Sequence, residues 1–126
     1  MNKKKILIFD DDTATLEVVS IIFQEIGYDV EMAETVDHII PIVSTFLPDL
    51  ILMDVNIPMI GGIEATRLLK NHDFYHSIPV IIVTAKNDIA RISSQASADG
   101  HLSKPFNIDE LEEMVEKLTS DKKHPC

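Results

Sequence analysis

Acidic side chains follow two short apolar runs of this 126-residue chain, each at the point where the run ends. Three aspartates, Asp10–Asp12, come directly after Ile6–Phe9, and Asp54 comes directly after Leu50–Met53. Adjacent carboxylates without a counter-charge repel each other, and a divalent cation removes that cost. Oxygen ligands of this hard type favour Mg²⁺ over softer metals. The pattern therefore predicts a Mg²⁺ site at these strand ends.

Asp54 is the strongest candidate for a reacting group. A turn, Asn56–Pro58, follows it instead of a helix start, so helix capping does not explain it. A carboxylate beside Mg²⁺ can attack phosphorus and form an acyl phosphate if other groups stabilise the phosphoryl oxygens. Thr84, after the apolar run Val80–Val83, and Lys104 supply a hydroxyl and an ammonium. Singly, these two would be a turn residue and a solvated charge, so only their joint placement is informative.

These groups require a fold that brings the ends of the apolar runs together. The three runs named above lack the polar alternation of a half-exposed strand and are predicted to be central strands of a parallel sheet. The segment after Gly27 alternates and is predicted to be an edge strand, and Leu102 lies in a short fifth strand. Strands that alternate with helices predict an α/β, doubly wound fold, in which ligands bind at the carboxyl ends of the strands.

Five helices complete the predicted pattern. Apolar residues at helical spacing mark the first, third, fourth and last of them at Leu16–Ile26, Ala65–Leu69, Ile89–Ala96 and Leu111–Leu118. Asn107, followed three residues later by Glu110, has the form of a helix N-cap and capping box for the last helix. The second helix, residues 35–46, contains Pro41, which predicts a kink or break there.

Composition excludes several classes of function. There are 11 Lys and Arg against 21 Asp and Glu, so the net charge of −10 has the wrong sign for binding nucleic-acid phosphates. No apolar run approaches the roughly 20 residues of a membrane span, and no signal peptide is readable. Cys126 is the sole cysteine and can form no intramolecular disulfide. We therefore expect a cytoplasmic protein without direct nucleic-acid or membrane contacts, with one domain over residues 1–120 and a flexible tail over 121–126.

Four motifs in order resemble the receiver domain of two-component response regulators, and the resemblance runs from Lys5 to about Leu118. The motifs are Ile6–Asp12, Asp49–Asp54 with Pro58 and Gly62, Ile78–Ala85, and Lys104-Pro105-Phe106. The resemblance implies a flavodoxin-like strand order 2-1-3-4-5, as in single-domain regulators of the chemotaxis type. It also implies a signalling switch rather than an enzyme, in which Asp54 accepts a phosphoryl group from a phosphohistidine.

The resemblance also implies roles for individual residues. The Mg²⁺ ligands would be Asp11, Asp54 and the backbone carbonyl of Asn56, with Asp10 nearby. Lys104 would pair with the phosphoryl group, and the Lys104–Pro105 peptide bond would be cis, an isomer confined almost wholly to proline. Asn56 and Lys86 would set the lifetime of the acyl phosphate. Gly61 departs from the family pattern, because many receivers carry an acidic residue before Gly62.

A switch from Thr84 to His101 is a further expectation from the resemblance. Once Asp54 is phosphorylated, the Thr84 hydroxyl would donate to a phosphoryl oxygen and vacate space for the His101 ring, which stands where many receivers carry Tyr or Phe. Alternatively, His101 is a half-buried residue that merely packs. The expected phosphodonor is a histidine kinase or histidine phosphotransfer protein. A downstream protein or second copy would bind the face formed by the helix after Thr84, the His101 strand and the last helix.

Two alternatives stay open. The segment Phe9–Thr13 also resembles the Asp-x-Asp-x-Thr signature of haloacid-dehalogenase-type phosphatases, in which Asp10 would be the nucleophile and Asp12 the acid or base, but that leaves Asp54 without a role. Asp12 could instead cap the following helix. The other alternative is a receiver-like interaction module that takes no phosphate, which would be expected to lack Asp54, Thr84 or Lys104, and all three are present.

Overall fold

The computed structural model describes residues 3–54, 61–84, 97–104 and 106–121, which contain five strands and four helices. The elements are β1 (Lys5–Phe9), α1 (Thr13–Ile26), β2 (Asp29–Ala33), α2 (Ile39–Phe46), β3 (Leu50–Asp54), α3 (Gly61–Lys70), β4 (Val80–Thr84), β5 (Gly100–Ser103) and α4 (Ile108–Asp121). The helix predicted at Ile89–Ala96 lies outside the described residues. So do Asn56, Lys86 and the peptide bond to Pro105.

The five strands form one parallel sheet in the order β2-β1-β3-β4-β5. This order confirms the predicted doubly wound, flavodoxin-like architecture. Strands β3 and β4 are buried along their whole length, as their continuous apolar sequences predicted. Because all strands run the same way, the residues that follow β1, β3, β4 and β5 meet at one edge of the sheet, which we call the carboxyl edge.

Alternate strand residues pack into two core layers on opposite faces of the sheet. On one face, Ile6 and Ile8 of β1 pack with buried residues of α1 and α4 such as Phe23 and Leu111. On the other face, Leu7 and Phe9 pack with buried residues of α2 and α3. The described helices thus cover both faces of the sheet.

The second helix differs from its prediction. It begins at Ile39 rather than near residue 35, so Pro41 lies in its first turn and the helix continues to Phe46 without a break. The missing N–H of a proline costs no hydrogen bond in a first turn, because the N–H groups there have no intrahelical acceptor. The start of α3 accounts for the departure of Gly61 from the family pattern, since Gly61 has a φ of 79°, which disfavours a side chain.

Two aspartates connect neighbouring strands at the edge opposite the carboxyl edge. Asp49, just before β3, donates its backbone N–H to Lys5 O and accepts the Lys5 N–H on Oδ2, both at 2.8 Å. Asp99, just before β5, makes the same two bonds with Val80 of β4, also at 2.8 Å. Lys70 Nζ donates to Asp99 Oδ2 at 2.6 Å and ties the end of α3 to this pair. We call these two arrangements the strand-start clamps.

Candidate functional site

Three carboxylates meet at the carboxyl edge. Asp10 and Asp11 follow β1, Asp54 ends β3, and one oxygen from each lies within 4.8 Å of the others. Asp10 and Asp54 are buried, with 4% and 3% of their surface exposed, whereas Asp11 faces solvent. Placing carboxylates this close and this deep is unfavourable unless cations compensate their charge. The site therefore requires positive charge from the protein or from a bound ion.

Among the described residues, Lys104 places a positive charge against these carboxylates. Its Nζ donates to Asp10 Oδ2 at 2.9 Å and to Asp54 Oδ2 at 3.4 Å. Burial lowers the pKa of Lys104, but the hydrogen bond that Lys104 donates to Asp10 and the charges of Asp54 and Asp10 outweigh that effect, so its pKa is raised above the ordinary value. The side chain is therefore an ammonium ion at physiological pH.

Backbone hydrogen bonds hold these side chains in place. The backbone N–H of Asp10 donates to Ala33 O at 3.1 Å, and the Asp12 N–H donates to Asp10 Oδ1 at 2.9 Å. At the other side of the site, the Lys104 N–H donates to Thr84 O at 2.9 Å. Thr84 is fully buried at the end of β4. The structure thus brings Asp10, Asp11, Asp54, Thr84 and Lys104 to one edge, as predicted.

Asp12 has the capping role rather than a place in the acidic cluster. Its Oδ1 accepts the Ala14 N–H at 3.1 Å, and its Oδ2 accepts the Thr15 hydroxyl at 2.8 Å. The hydrogen bond from Thr15 lowers the pKa of the Asp12 carboxyl, with further help from the backbone N–H groups of Thr15 and Ala14. This geometry does not favour Asp12 as the acid or base of a phosphatase.

His101 lies on β5 opposite Ile82 of β4, and its side chain is exposed to solvent. The alternative interpretation of His101, a half-buried residue that merely packs, is therefore wrong. An exposed ring can move without losing core contacts, which leaves the switch role as a prediction.

An apolar groove beside the site was not predicted from the sequence. It has a volume of about 540 Å³ and lies between α1 and the segment from Lys104 to the start of α4. Its lining residues are Ala14, Thr15, Val18, Val19, Lys104, Phe106 and Ile108. One wall of the groove could have been predicted from the sequence of α1, where the apolar residues Ala14, Val18 and Ile21 recur at helical spacing on the solvent side. We call this feature the α1–α4 groove.

The three clustered carboxylates form a donor set suited to Mg²⁺, because it prefers hard oxygen ligands and is commonly held by one or two carboxylates. Asp10, Asp11 and Asp54 would hold the ion. The ion would supply further positive charge, since in the part of the chain that the structure describes the Lys104 ammonium is paired with two of the three carboxylates.

We predict that Asp11→Asn weakens Mg²⁺ binding by about tenfold, because one anionic ligand becomes neutral while the shape of the site is kept. Calorimetric titration of Mg²⁺ into the two proteins measures this change. Asp12→Asn is the matched control and should leave the affinity close to wild type, since asparagine also caps helices well. An unchanged affinity in Asp11→Asn would remove Asp11 from the metal site.

Comparison with known proteins agrees with this geometry. The family model described as "Response regulator receiver domain" matches residues 6–116. Sporulation initiation phosphotransferase F of Bacillus subtilis is 36% identical over 119 residues, which cover 93% of this chain and 94% of that protein. The signal receiver domain of a signal transduction histidine kinase from Syntrophus aciditrophicus superimposes with a TM-score of 0.88 at 30% identity, covering 98% of this chain and 95% of that one.

Another relative is longer than the match. The transcriptional regulatory protein CrdR of Helicobacter pylori is 33% identical over 121 residues, which cover 94% of this chain but 56% of CrdR. The chain therefore spans little more than half the length of that relative.

The chain belongs to the response regulator receiver domain family. Receiver domains are signalling switches of two-component systems and not enzymes in the usual sense, and phosphoryl acceptance on an aspartate is their general function. They bind Mg²⁺ at an acidic pocket and interact with histidine kinases, phosphotransfer proteins and downstream effectors. Membership of this family removes the support for a haloacid-dehalogenase-type phosphatase. Among the described residues, no helix has the length and apolar character to cross a bilayer.

Proposed function

We propose that Asp54 accepts a phosphoryl group from a phosphohistidine of a histidine kinase or histidine phosphotransfer protein, and that the modification switches partner binding. The observation that carries this proposal is the position of Asp54, buried at a strand end between two other carboxylates and the Lys104 ammonium. Family membership and the 36% identity to a phosphotransferase of similar length support it.

The reaction is a displacement at phosphorus. An Asp54 carboxylate oxygen forms the new P–O bond while the P–N bond to the donor imidazole breaks, and the ring nitrogen keeps the electron pair. Lys104 lies within 3.4 Å of Asp54 and can donate to a phosphoryl oxygen. The Thr84 hydroxyl is the second donor that we assign. Bound Mg²⁺ would supply further positive charge for the phosphoryl oxygens.

Labelling with a small phosphodonor tests the proposal. The protein is incubated with Mg²⁺ and acetyl phosphate, and intact mass spectrometry should find one added phosphoryl group. A receiver-like module without phosphate chemistry would gain none, and a phosphatase would not accumulate the modified form. Phosphotransfer from purified histidine kinases and phosphotransfer proteins of the same organism would then identify the donor.

We predict that His101→Ala uncouples phosphorylation from the change at the outer face of the sheet, while labelling of Asp54 continues. A phosphoryl group can shift the balance between two arrangements of the domain only if it makes different contacts in each of them. We assign that differing contact to the Thr84 hydroxyl. NMR spectra of both proteins, with and without the phosphoryl mimic beryllofluoride, measure the effect. Shifts that reach Ser103 and Leu111 equally in both proteins would exclude His101 as the coupling residue.

The domain bounds 1–120, the tail 121–126, the cis bond before Pro105 and the cytoplasmic location stay predictions from the sequence. We also retain the proposal that a downstream protein or a second copy binds the face that includes β5 and α4.

A further inference from the structure

We propose that the outer edge of β2 binds an extended segment of a partner protein as an added strand, and that this segment alternates Lys or Arg with apolar residues. The inference goes beyond the proposed function, because it does not require a phosphoryl group on Asp54.

The β2 strand lies at one side of the sheet and pairs with β1. In the part of the chain that the structure describes, no strand pairs with its other side. The Asp29 N–H and the Ala33 C=O bond to backbone atoms that flank β1, at 2.9 and 3.1 Å. Because the backbone groups of alternate strand residues point to opposite sides, those of Val30 and Met32 point away from the sheet. We call this row of outward N–H and C=O groups the β2 edge.

The side chains of β2 differ in character between the two faces of the sheet. Asp29 and Glu31 are exposed on the face that α2 covers, whereas Val30 and Met32 lie on the face that α1 covers. The Met32 side chain is 45% exposed. An added strand would place alternate side chains on these two faces, and opposite charges across a strand pair are favourable. The segment should therefore carry Lys or Arg beside the two acids and apolar residues beside Val30 and Met32.

A depression between β2 and α2 lies beside the acidic side chains of this edge. It has a volume of about 350 Å³ and is lined by Glu31, Pro41, Ile42, Thr45 and Phe46. Its apolar lining can receive the aliphatic stems of Lys or Arg while their charged ends stay near Glu31. The Phe46 ring already contacts one cation, because Lys5 Nζ lies 5.5 Å from the centre of the ring. The surface around Phe46 thus suits cationic side chains.

The charge of this part of the chain indicates the sign of the partner. Residues 6–66 contain no Lys or Arg. The exposed acidic residues on β2 and between β2 and α2 are Asp29, Glu31, Glu34 and Asp37. A basic segment would therefore be attracted toward the β2 edge before any contact forms.

A second copy of this chain is a poor occupant of the β2 edge. Antiparallel pairing of two such edges about Val30 would set Asp29 opposite Glu31, and pairing about Glu31 would set two Glu31 side chains opposite each other. Like charges that lie directly opposite destabilise a strand pair, and charged residues on an edge strand commonly prevent self-pairing. The same two acids favour a basic strand, so the edge discriminates between partners by charge.

Three peptides of about ten residues test the inference. One alternates Lys with Val, the second alternates Glu with Val, and the third has the composition of the first without the alternation. We expect the Lys–Val peptide to bind at least about tenfold more tightly at low salt than either of the others. NMR titration measures the dissociation constants. On binding, amide hydrogen exchange should slow at Val30 and Met32 and change little at Glu31, whose N–H points toward β1.

Variants of β2 separate charge from strand pairing. Asp29→Lys with Glu31→Lys should remove or reverse the preference for the Lys–Val peptide. Glu17→Lys with Glu113→Lys is the matched control, with the same charge change at exposed positions of α1 and α4, and should keep the preference. Met32→Pro removes one outward N–H, which an edge strand tolerates, and should weaken binding of the Lys–Val peptide by about tenfold.

Equal binding of the alternating and non-alternating Lys peptides would show charge attraction alone and would overturn the inference. Slow exchange of the Val30 and Met32 amides in the free protein would do the same, since the edge would then be covered by the chain itself or by a second copy. If none of the peptides binds, the acids on β2 only prevent self-pairing and the inference is wrong. These measurements need no phosphodonor, so they test the β2 edge separately from the proposed function.

Discussion

Asp54→Asn is expected to abolish labelling by acetyl phosphate completely. An amide is a far weaker nucleophile than a carboxylate, and the other two clustered aspartates, Asp10 and Asp11, lie where the cation would bind. Intact mass spectrometry followed by peptide mapping measures both the amount and the position of the phosphoryl group. The wild type should carry one group on Asp54, and the variant should carry none.

The control for this prediction also separates the receiver chemistry from the phosphatase alternative. Asp12→Asn should be labelled like the wild type, because Asp12 caps α1 and asparagine caps equally well. In a haloacid-dehalogenase-type mechanism, Asp10 would take the phosphoryl group and Asp12 would be needed for turnover. Full labelling of Asp54→Asn at Asp10 would therefore overturn the assignment of the phosphoacceptor.

Removal of Lys104 should have the second large effect, this time on stability. Lys104→Met leaves Asp10 and Asp54 buried without the Lys104 ammonium, and because Lys104 is itself partly exposed we expect the free energy of unfolding to fall by about 1–3 kcal/mol in a chelating buffer. Saturating Mg²⁺ should restore most of the loss, because the ion compensates the same carboxylates. Urea unfolding with and without Mg²⁺ measures both quantities.

Lys70→Met is the matched control, since Lys70 is also a shielded lysine paired with an aspartate, Asp99 at 2.6 Å. It should lose stability as well, because it also gives up a 2.8 Å hydrogen bond to Ile78 O. Asp99 lies outside the acidic cluster, so Mg²⁺ should stabilise this variant no more than the wild type. A Lys104→Met protein as stable as the wild type without Mg²⁺ would contradict the proposed electrostatic role of Lys104.

Much of the fold was predictable because buried parallel strands have a distinctive sequence. Runs such as Leu50–Met53 and Val80–Val83 contain no polar residue, and the residue that follows each run lies at the carboxyl edge, as Asp54 and Thr84 do. The residue at which α2 begins was not predictable. It depends on where the chain turns away from the edge of the sheet, and the spacing of apolar residues within the helix does not indicate that position. Residues 35–38, which the sequence analysis placed in this helix, are not helical.

The positions that meet at the carboxyl edge were predictable from the sequence, but the different surroundings of the individual aspartates were not. Three adjacent aspartates have similar sequence signals, and only the folded chain separates buried Asp10, exposed Asp11 and the helix cap Asp12. The exposure of His101 depends on the packing around β5, which its own sequence does not specify. The two walls of the α1–α4 groove come from segments more than 80 residues apart, one containing Val18 and the other Phe106. The sequence around Val18 therefore could not predict the opposite wall.

The strand-start clamps separate the part of the sheet that sets alignment from the part that does chemistry. Asp49 and Asp99 fix how β3 lies against β1 and how β5 lies against β4, and they do so about one strand length away from the phosphoacceptor. Substitutions and loop exchanges at the carboxyl edge can therefore alter the chemistry or the partner without sliding one strand past another. For protein engineering, this makes the carboxyl edge a replaceable module, and it makes Asp49 and Asp99 the two positions that a chimera should leave unchanged.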